Sequence, residues 1–256
     1  MSGGSSLPSD TFIEAMYTCA FCDEVEQRSC SLLSPPRNRF LYETPEFMVF
    51  PTLGCFVEGY LLICPKQHVS SIANLSTGSF TGLAQLASRV KEIVAAAYGE
   101  PIVFEHGMSG CGRIDAGGCI EHAHLHVVPG TIDIEKLLAE YSRPEEIPWS
   151  SVAQFAGTSY ILGQSYGGKT WVSAVRDVLP SQYMRRLVAR ELGVFEFWDW
   201  RDYPEFDKID ATLARLSLPF QTLKACSIES NESIASSCAR LLRVSLFKAA
   251  VGTVGE

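Results

Sequence analysis

The chain has 256 residues, 46% of them apolar and 20% charged, the balance of a globular protein with room for a sizeable core. Its formal charge of -8 argues against an extended nucleic-acid surface, which needs many clustered Lys and Arg, but leaves room for small anions held by a few groups focused in a cleft. Residues 1–10 are rich in Gly and Ser and lack the regions of a secretory signal, and no stretch is apolar for long enough to span a bilayer, so the expectation is a cytoplasmic protein with no membrane partner. The nine cysteines are then expected to be reduced, either buried or serving as ligands. Cys30, Cys55, Cys64, Cys226 and Cys238 take the buried reading.

Residues 40–42, 47–50 and 60–63 are short aromatic and aliphatic runs punctuated by Thr-Pro and Leu-Gly, which predicts successive antiparallel strands. From 80 to 98 the apolar positions Leu83, Leu86, Ala87, Val90, Ile93, Val94 and Ala97 recur at helical spacing, and Gly99 stands where a C-terminal cap belongs. Residues 102–104 and 122–128 read as two strands separated by the Gly-rich loop 107–118, with Pro129-Gly130 ending the second. Strands, a covering helix and more strands indicate an α+β fold.

Residues 134–141 predict a helix, and 143–150, with two prolines, a linker that closes a first domain over 10–150. The remainder, 151–256, reads as an extension. It opens on a hairpin, 160–164 and 170–175, around Tyr166-Gly167-Gly168-Lys169, followed by a helix over 181–192. After Pro219 the pattern weakens into a Ser-rich stretch, 227–237, and a last helical run, 239–250.

The most specific segment is His122-Ala123-His124-Leu125-His126-Val127-Val128-Pro129. In a strand this alternation puts three imidazoles on one face and Ala123, Leu125 and Val127 on the other, against the core. At roughly 3.3 Å per residue, His122 and His126 sit about 13 Å apart and do not readily share one metal. The three must divide labour, although a catalytic metal centre built from histidines stays open as a third reading.

This pattern resembles the signature of the histidine triad (HIT) family, in which histidine alternates with apolar residues. The resemblance covers roughly 19–130, including Glu58-Gly59-Tyr60-Leu61-Leu62-Ile63 and Pro65-Lys66-Gln67-His68. It implies that His124 is the nucleophile, taking up a nucleotidyl group that water, phosphate or another acceptor then removes. It implies that His126 stabilises charge on phosphate oxygens or the leaving group. The related sugar-phosphate uridylyltransferases carry glutamine at the place of His126, so histidine here tilts the reading toward hydrolysis or phosphorolysis.

Cys119 falls where relatives often carry Ser or Thr touching the phosphate, but a thiol donates weakly and a small buried thiol is the equal alternative. Glu105-His106-Gly107 aligns with the family's amide-Gly region, which implies substrate binding there and at Gly118, at the far end of the loop. A carboxylate repels phosphate, so Glu105 is expected to bind a hydroxyl or act on an acceptor. Cys19 and Cys22, as Cys-x-x-Cys, with His68 and His122, resemble the family's structural zinc site, a closed Cys2His2 set.

In the extension, Ser181-Gln182-Tyr183-Met184-Arg185-Arg186 opens a helix, where Gln182 and Arg185 could hold an anion. A solvated basic helix is the alternative. Trp198-Asp199-Trp200-Arg201 reads either as a packing stitch onto the first domain or as an aromatic wall for a base, and packing is favoured.

The resemblance therefore implies a zinc-stabilised nucleotide hydrolase or nucleotidyltransferase acting on a nucleotide or nucleotide-linked small molecule. A phosphorylase and a slow-turnover nucleotide-binding regulator are the alternatives. The extension would cover the cleft or stand in for the second subunit of a homodimer.

Overall fold

The computed structural model describes residues 19–110, 117–118 and 120–228. Residues 1–10, Cys119, Cys238, most of the Ser-rich stretch and the run 239–250 lie outside the described residues, so the expectations placed on them find no counterpart here.

A short helix, α1 (Ala20–Gln27), begins directly after Cys19 and ends at Arg28 in the left-handed conformation. Three strands follow, β1 (Tyr42–Glu43), β2 (Phe47–Pro51) and β3 (Leu61–Pro65), paired as an antiparallel meander with Val49 opposite Ile63. Helix α2 (Thr77–Tyr98) starts at Ser76, whose hydroxyl accepts from the Ser79 N–H, and stops at Gly99, whose φ of 94° a side chain would resist.

The central pair is β4 (Pro101–Gly107) and β5 (Leu125–Pro129). Helix α3 (Ile134–Ala139) comes next, then β6 (Glu145–Ile147), β7 (Tyr160–Gln164), β8 (Thr170–Ala174), α4 (Tyr183–Glu191) and α5 (Phe206–Ile228). All eight strands form one antiparallel sheet in the order β1-β2-β3-β5-β4-β7-β8-β6. The sheet thus runs through residue 150, because β7 pairs along its full length with Val103–Gly107 of β4.

Helices α2 and α5 cover one face, where Val103, Leu125 and Val127 meet Leu83, Val90 and Phe220. Helices α1, α3 and α4 cover the other, where Phe50, Leu62 and Phe104 meet Phe21, Leu137 and Val188.

Three elements depart from the expectation. Residues 145–147, read as linker, form edge strand β6, where flanking Pro144 and Pro148 remove no ladder bond from a central position. Helix α5 runs through Pro219, its apolar residues Ile209, Leu213, Leu216, Phe220 and Leu223 all turned to the core. The strand expected from residue 122 begins at Leu125. Before it the Ala123 N–H is taken by the Val69 carbonyl and the His122 carbonyl by a side chain, so no ladder forms.

Candidate active site and metal cluster

His126 lies in β5 directly opposite Phe104 of β4 and Leu62 of β3. Paired residues share a face, so its ring points away from α2, toward α4. His126 stacks on Phe104 with ring centroids 4.2 Å apart, and its Nδ1 is 2.7 Å from the Tyr60 hydroxyl. His124, in the extended lead-in, has its ring centroid 4.6 Å from that of His126.

Two tautomers follow from geometry alone. Nδ1 of His124 is 2.6 Å from the His122 carbonyl, and a carbonyl only accepts, so Nδ1 carries the proton and Nε2 has a free lone pair. Nε2 of His122 is 2.7 Å from the Pro65 carbonyl, so its Nδ1 is the unprotonated nitrogen. Burial is the main force pushing the His124 pKa down to about 4, against the backbone bond, so this ring is a neutral imidazole near pH 7. His126 is likewise held well below the usual histidine range, first by burial and then by the neighbouring His124 and His106.

The unprotonated Nδ1 of His122 faces a cluster. Cys19, Cys22, His68 and His122 each offer one donor atom, all within 4.8 Å of one another. Cys19 Sγ and Cys22 Sγ lie 3.3 and 3.6 Å from His122 Nδ1, and Cys22 Sγ lies 3.3 Å from His68 Nδ1. Around a tetrahedral ion, bonds of about 2.0 to 2.3 Å place donor atoms about 3.4 to 3.8 Å apart, so the set fits a metal with little movement. Burial, followed by the hydrogen bond and charge of Cys19, pushes the Cys22 thiol up to about 11; a bound cation would reverse that balance. The helical i, i+3 spacing at the start of α1 is what turns both thiols toward His122.

The rings of His124 and His126 open into a cleft. Phe21, Leu53 and Trp200 give it apolar walls. Glu24 and Arg39 line it as a buried ion pair, with Oε1 and Oε2 each 2.7 Å from the guanidinium. Arg185 reaches in from α4.

The remaining residues expected at the site are placed differently. Glu105 is two residues along from Val103, on the α2 face opposite His126, where Oε1 accepts from the Ile72 N–H at 2.8 Å and Oε2 from the Tyr160 hydroxyl at 2.6 Å. It is structural, and burial raises its pKa to about 7 against those two bonds. His106 shares the face of His126 but is sealed under α4, its Nε2 accepting from the Met184 N–H at 3.0 Å.

That bond consumes a first-turn donor of α4, so the helix start does not present an open anion site. Gly107 is needed by a neighbour: a Cβ there would come within 2.2 Å of the Tyr160 ring. Gly118 sits against Met108 and His106. Gln182, in the left-handed region, gives its Nε2 to Asp199 and its N–H to the Gly117 carbonyl, and does not line the cleft. Of the residues expected to bind substrate, Arg185 alone among those described lines the cleft together with His124 and His126.

Sequence reasoning missed Phe21, Tyr60 and the Glu24–Arg39 pair, and it favoured packing for Trp200, which lines the cleft. Tyr60 carried a usable signal, an aromatic residue with a polar tip one position before a strand that pairs with the histidine strand.

An α+β protein with a histidine-walled cleft on one sheet face, braced by a Cys2His2 cluster, is the class that fold and site define. Residues 35–132 match the HIT domain model. It is 32% identical over 96 residues to a bis(5'-adenosyl)-triphosphatase of Dictyostelium discoideum, a match covering 36% of this chain and 60% of that one. It is 26% identical over 126 residues to the nitrilase and fragile histidine triad fusion protein NitFhit of Caenorhabditis elegans, covering 45% and 27%. The chain thus spans less than two thirds of either relative. Among solved structures, a Zn-bound histidine triad family protein from Mycobacterium smegmatis aligns with 20% identity and a TM-score of 0.36, covering 45% of this chain and 77% of that one.

Proposed function

We propose that this chain is a HIT-type nucleotide hydrolase in which Nε2 of His124 attacks the phosphorus of a phosphoanhydride or phosphoester. The observation that carries the reading is the 2.6 Å bond from His124 Nδ1–H to the His122 carbonyl, which leaves Nε2 unprotonated in a buried ring that lines a cleft. The name of the Dictyostelium relative, a triphosphatase of two linked adenosines, is in keeping with that substrate class.

In the first step the N–P bond forms as the bond from phosphorus to the leaving oxygen breaks, and the oxygen departs with the electron pair. If the Tyr60 hydroxyl donates to Nδ1 of His126, Nε2–H of His126 is free to hydrogen-bond a phosphate oxygen or the leaving oxygen, whose proton then comes from solvent. Water then attacks the nucleotidyl-histidine, releasing the nucleoside monophosphate and restoring the ring. Phosphate or another nucleophile in place of water would make the same site a phosphorylase or a nucleotidyltransferase.

Cys19, Cys22, His68 and His122 are proposed to hold one zinc ion. These four residues would hold it, and the bound ion would supply a structural crosslink between α1 and the segment carrying His124.

The test is intact-protein mass spectrometry at short times after mixing with nucleoside polyphosphates and nucleotide-linked metabolites, with products followed by phosphorus NMR with and without added phosphate. A nucleotidyl mass is expected on the wild-type chain and none on His124→Ala, whose turnover should fall by about five to six orders of magnitude. An adduct that persists in His124→Ala overturns the assignment of the nucleophile. Tight nucleotide binding without turnover would make the chain a binding protein instead.

A further inference from the structure

Arg185 stands out among the cleft residues because part of its side chain is fully used and part is not. It is 2% exposed, on the inward side of α4. Its Nε donates to the Trp198 carbonyl at 3.2 Å and its Nη2 to the Gly54 carbonyl at 2.7 Å. The guanidinium carbon lies 5.0 and 5.2 Å from the centres of the Phe56 and Tyr60 rings. Those contacts fix the plane of the group. They leave Nη1 buried and without a hydrogen-bond partner.

A buried donor left unpaired on a charged group is costly, and native structures rarely keep one without a use. Asp199 lies near enough to feel the charge, but its Oδ1 is occupied by the Gln182 side chain and the Arg201 N–H. The positive charge acts instead on the rings of His106, His124 and His126. An imidazole is either neutral or cationic, so none of them balances it. Among the described residues lining the cleft the one carboxylate, Glu24, is already paired with Arg39.

We propose that Nη1 of Arg185 binds a non-bridging oxygen of the phosphate attacked by His124, so that the C-terminal half of the chain supplies a charge-stabilising group to the cleft. This rests on the nucleotide reading above. A purely mechanical role for Arg185, tying α4 to Gly54 and Trp198, needs only Nε and Nη2. An approaching phosphate would give the remaining nitrogen its acceptor, and negative charge accumulating on that oxygen during attack would strengthen the bond.

The test is calorimetric titration of the full-length, metal-loaded chain with the four ribonucleoside 5'-monophosphates and the four matching nucleosides, in wild-type, Arg185→Lys and Arg185→Met forms. Wild-type protein is expected to prefer at least one monophosphate over its nucleoside by tenfold or more. Arg185→Met should reduce that preference at least tenfold while nucleoside affinity stays within about twofold, and Arg185→Lys should fall between. A preference that survives Arg185→Met overturns the assignment. So does parallel loss of nucleoside and monophosphate affinity in both variants with a lowered Tm, the mark of a strut. Wild-type protein indifferent to every nucleotide would instead overturn the nucleotide reading itself.

Discussion

The hydroxyl of Tyr60 lies 2.7 Å from Nδ1 of His126, so a residue at the mouth of β3 holds a ring on β5 by a hydrogen bond. Stacking on Phe104 fixes the ring plane, and the hydroxyl holds one of its nitrogens. Tyr60→Phe keeps the packing and removes that control. Turnover is expected to fall by about tenfold to a hundredfold, with nucleotide affinity nearly unchanged. Steady-state kinetics beside a binding titration checks this, and an unchanged kcat would dismiss the orienting role.

The Cys2His2 cluster ties α1 to the histidine segment, so losing it should cost stability before chemistry. Chelation, or Cys22→Ser, is expected to lower Tm by about 5 to 15 °C, the consequence of several kcal/mol lost in a domain of this size. Metal analysis should return about one zinc per wild-type chain. Identical melting curves with and without chelator would remove the crosslink from the account.

Glu105 gives a pH signature. Its pKa is raised to about 7 in the folded chain by burial, while in the unfolded chain it ionises near the ordinary carboxylate value of about 4.3. Between those two values the folded state holds a proton that the unfolded state has released, so stability declines as pH rises through this window and levels off above it. Glu105→Gln, which mimics the protonated form, should flatten that slope by about 1 to 3 kcal/mol between pH 4.5 and 7. Denaturant melts across this range measure it, and parallel curves for the two proteins would count against the buried carboxyl as the source.

Gly54 seats the extension. At a φ of 64° its missing Cβ leaves room for Trp200, whose Cα and Cβ would lie 2.6 and 2.5 Å from an added methyl, and for Nη2 of Arg185. Gly54→Ala therefore strains the backbone and pushes Trp200 and Arg185 away together, at a cost of about 1 to 3 kcal/mol. Weaker nucleotide binding should accompany the lower Tm. Wild-type affinity in Gly54→Ala would show that neither residue needs its present position.

Much of the site was readable because a two-residue period fixes side-chain direction. His124 and His126 share a face while Ala123, Leu125 and Val127 go to the core, as the alternation requires once the segment is extended. The same rule says that Glu105 and His106 cannot both face the cleft. Which of them does depends on Phe104 standing opposite His126, and that register belongs to the pairing and not to either strand alone. Helix α5 had clear spacing in Ile209, Leu213, Leu216, Phe220 and Leu223, but Pro219 masked it. Trp200 and Arg185 reach the cleft through the path of loops around Gly54, a long-range approach that no local pattern encodes.

The pairing of β7 along β4 also guards the molecule. Residues Tyr160–Gln164 occupy the peptide groups of Val103 to Gly107, the strand that carries His106 behind the triad. A chain shortened before that hairpin would present a bare, flat and strongly apolar edge, a template on which a second copy could add its own strand. The hairpin thus keeps neighbouring molecules from zipping together at the centre of the sheet.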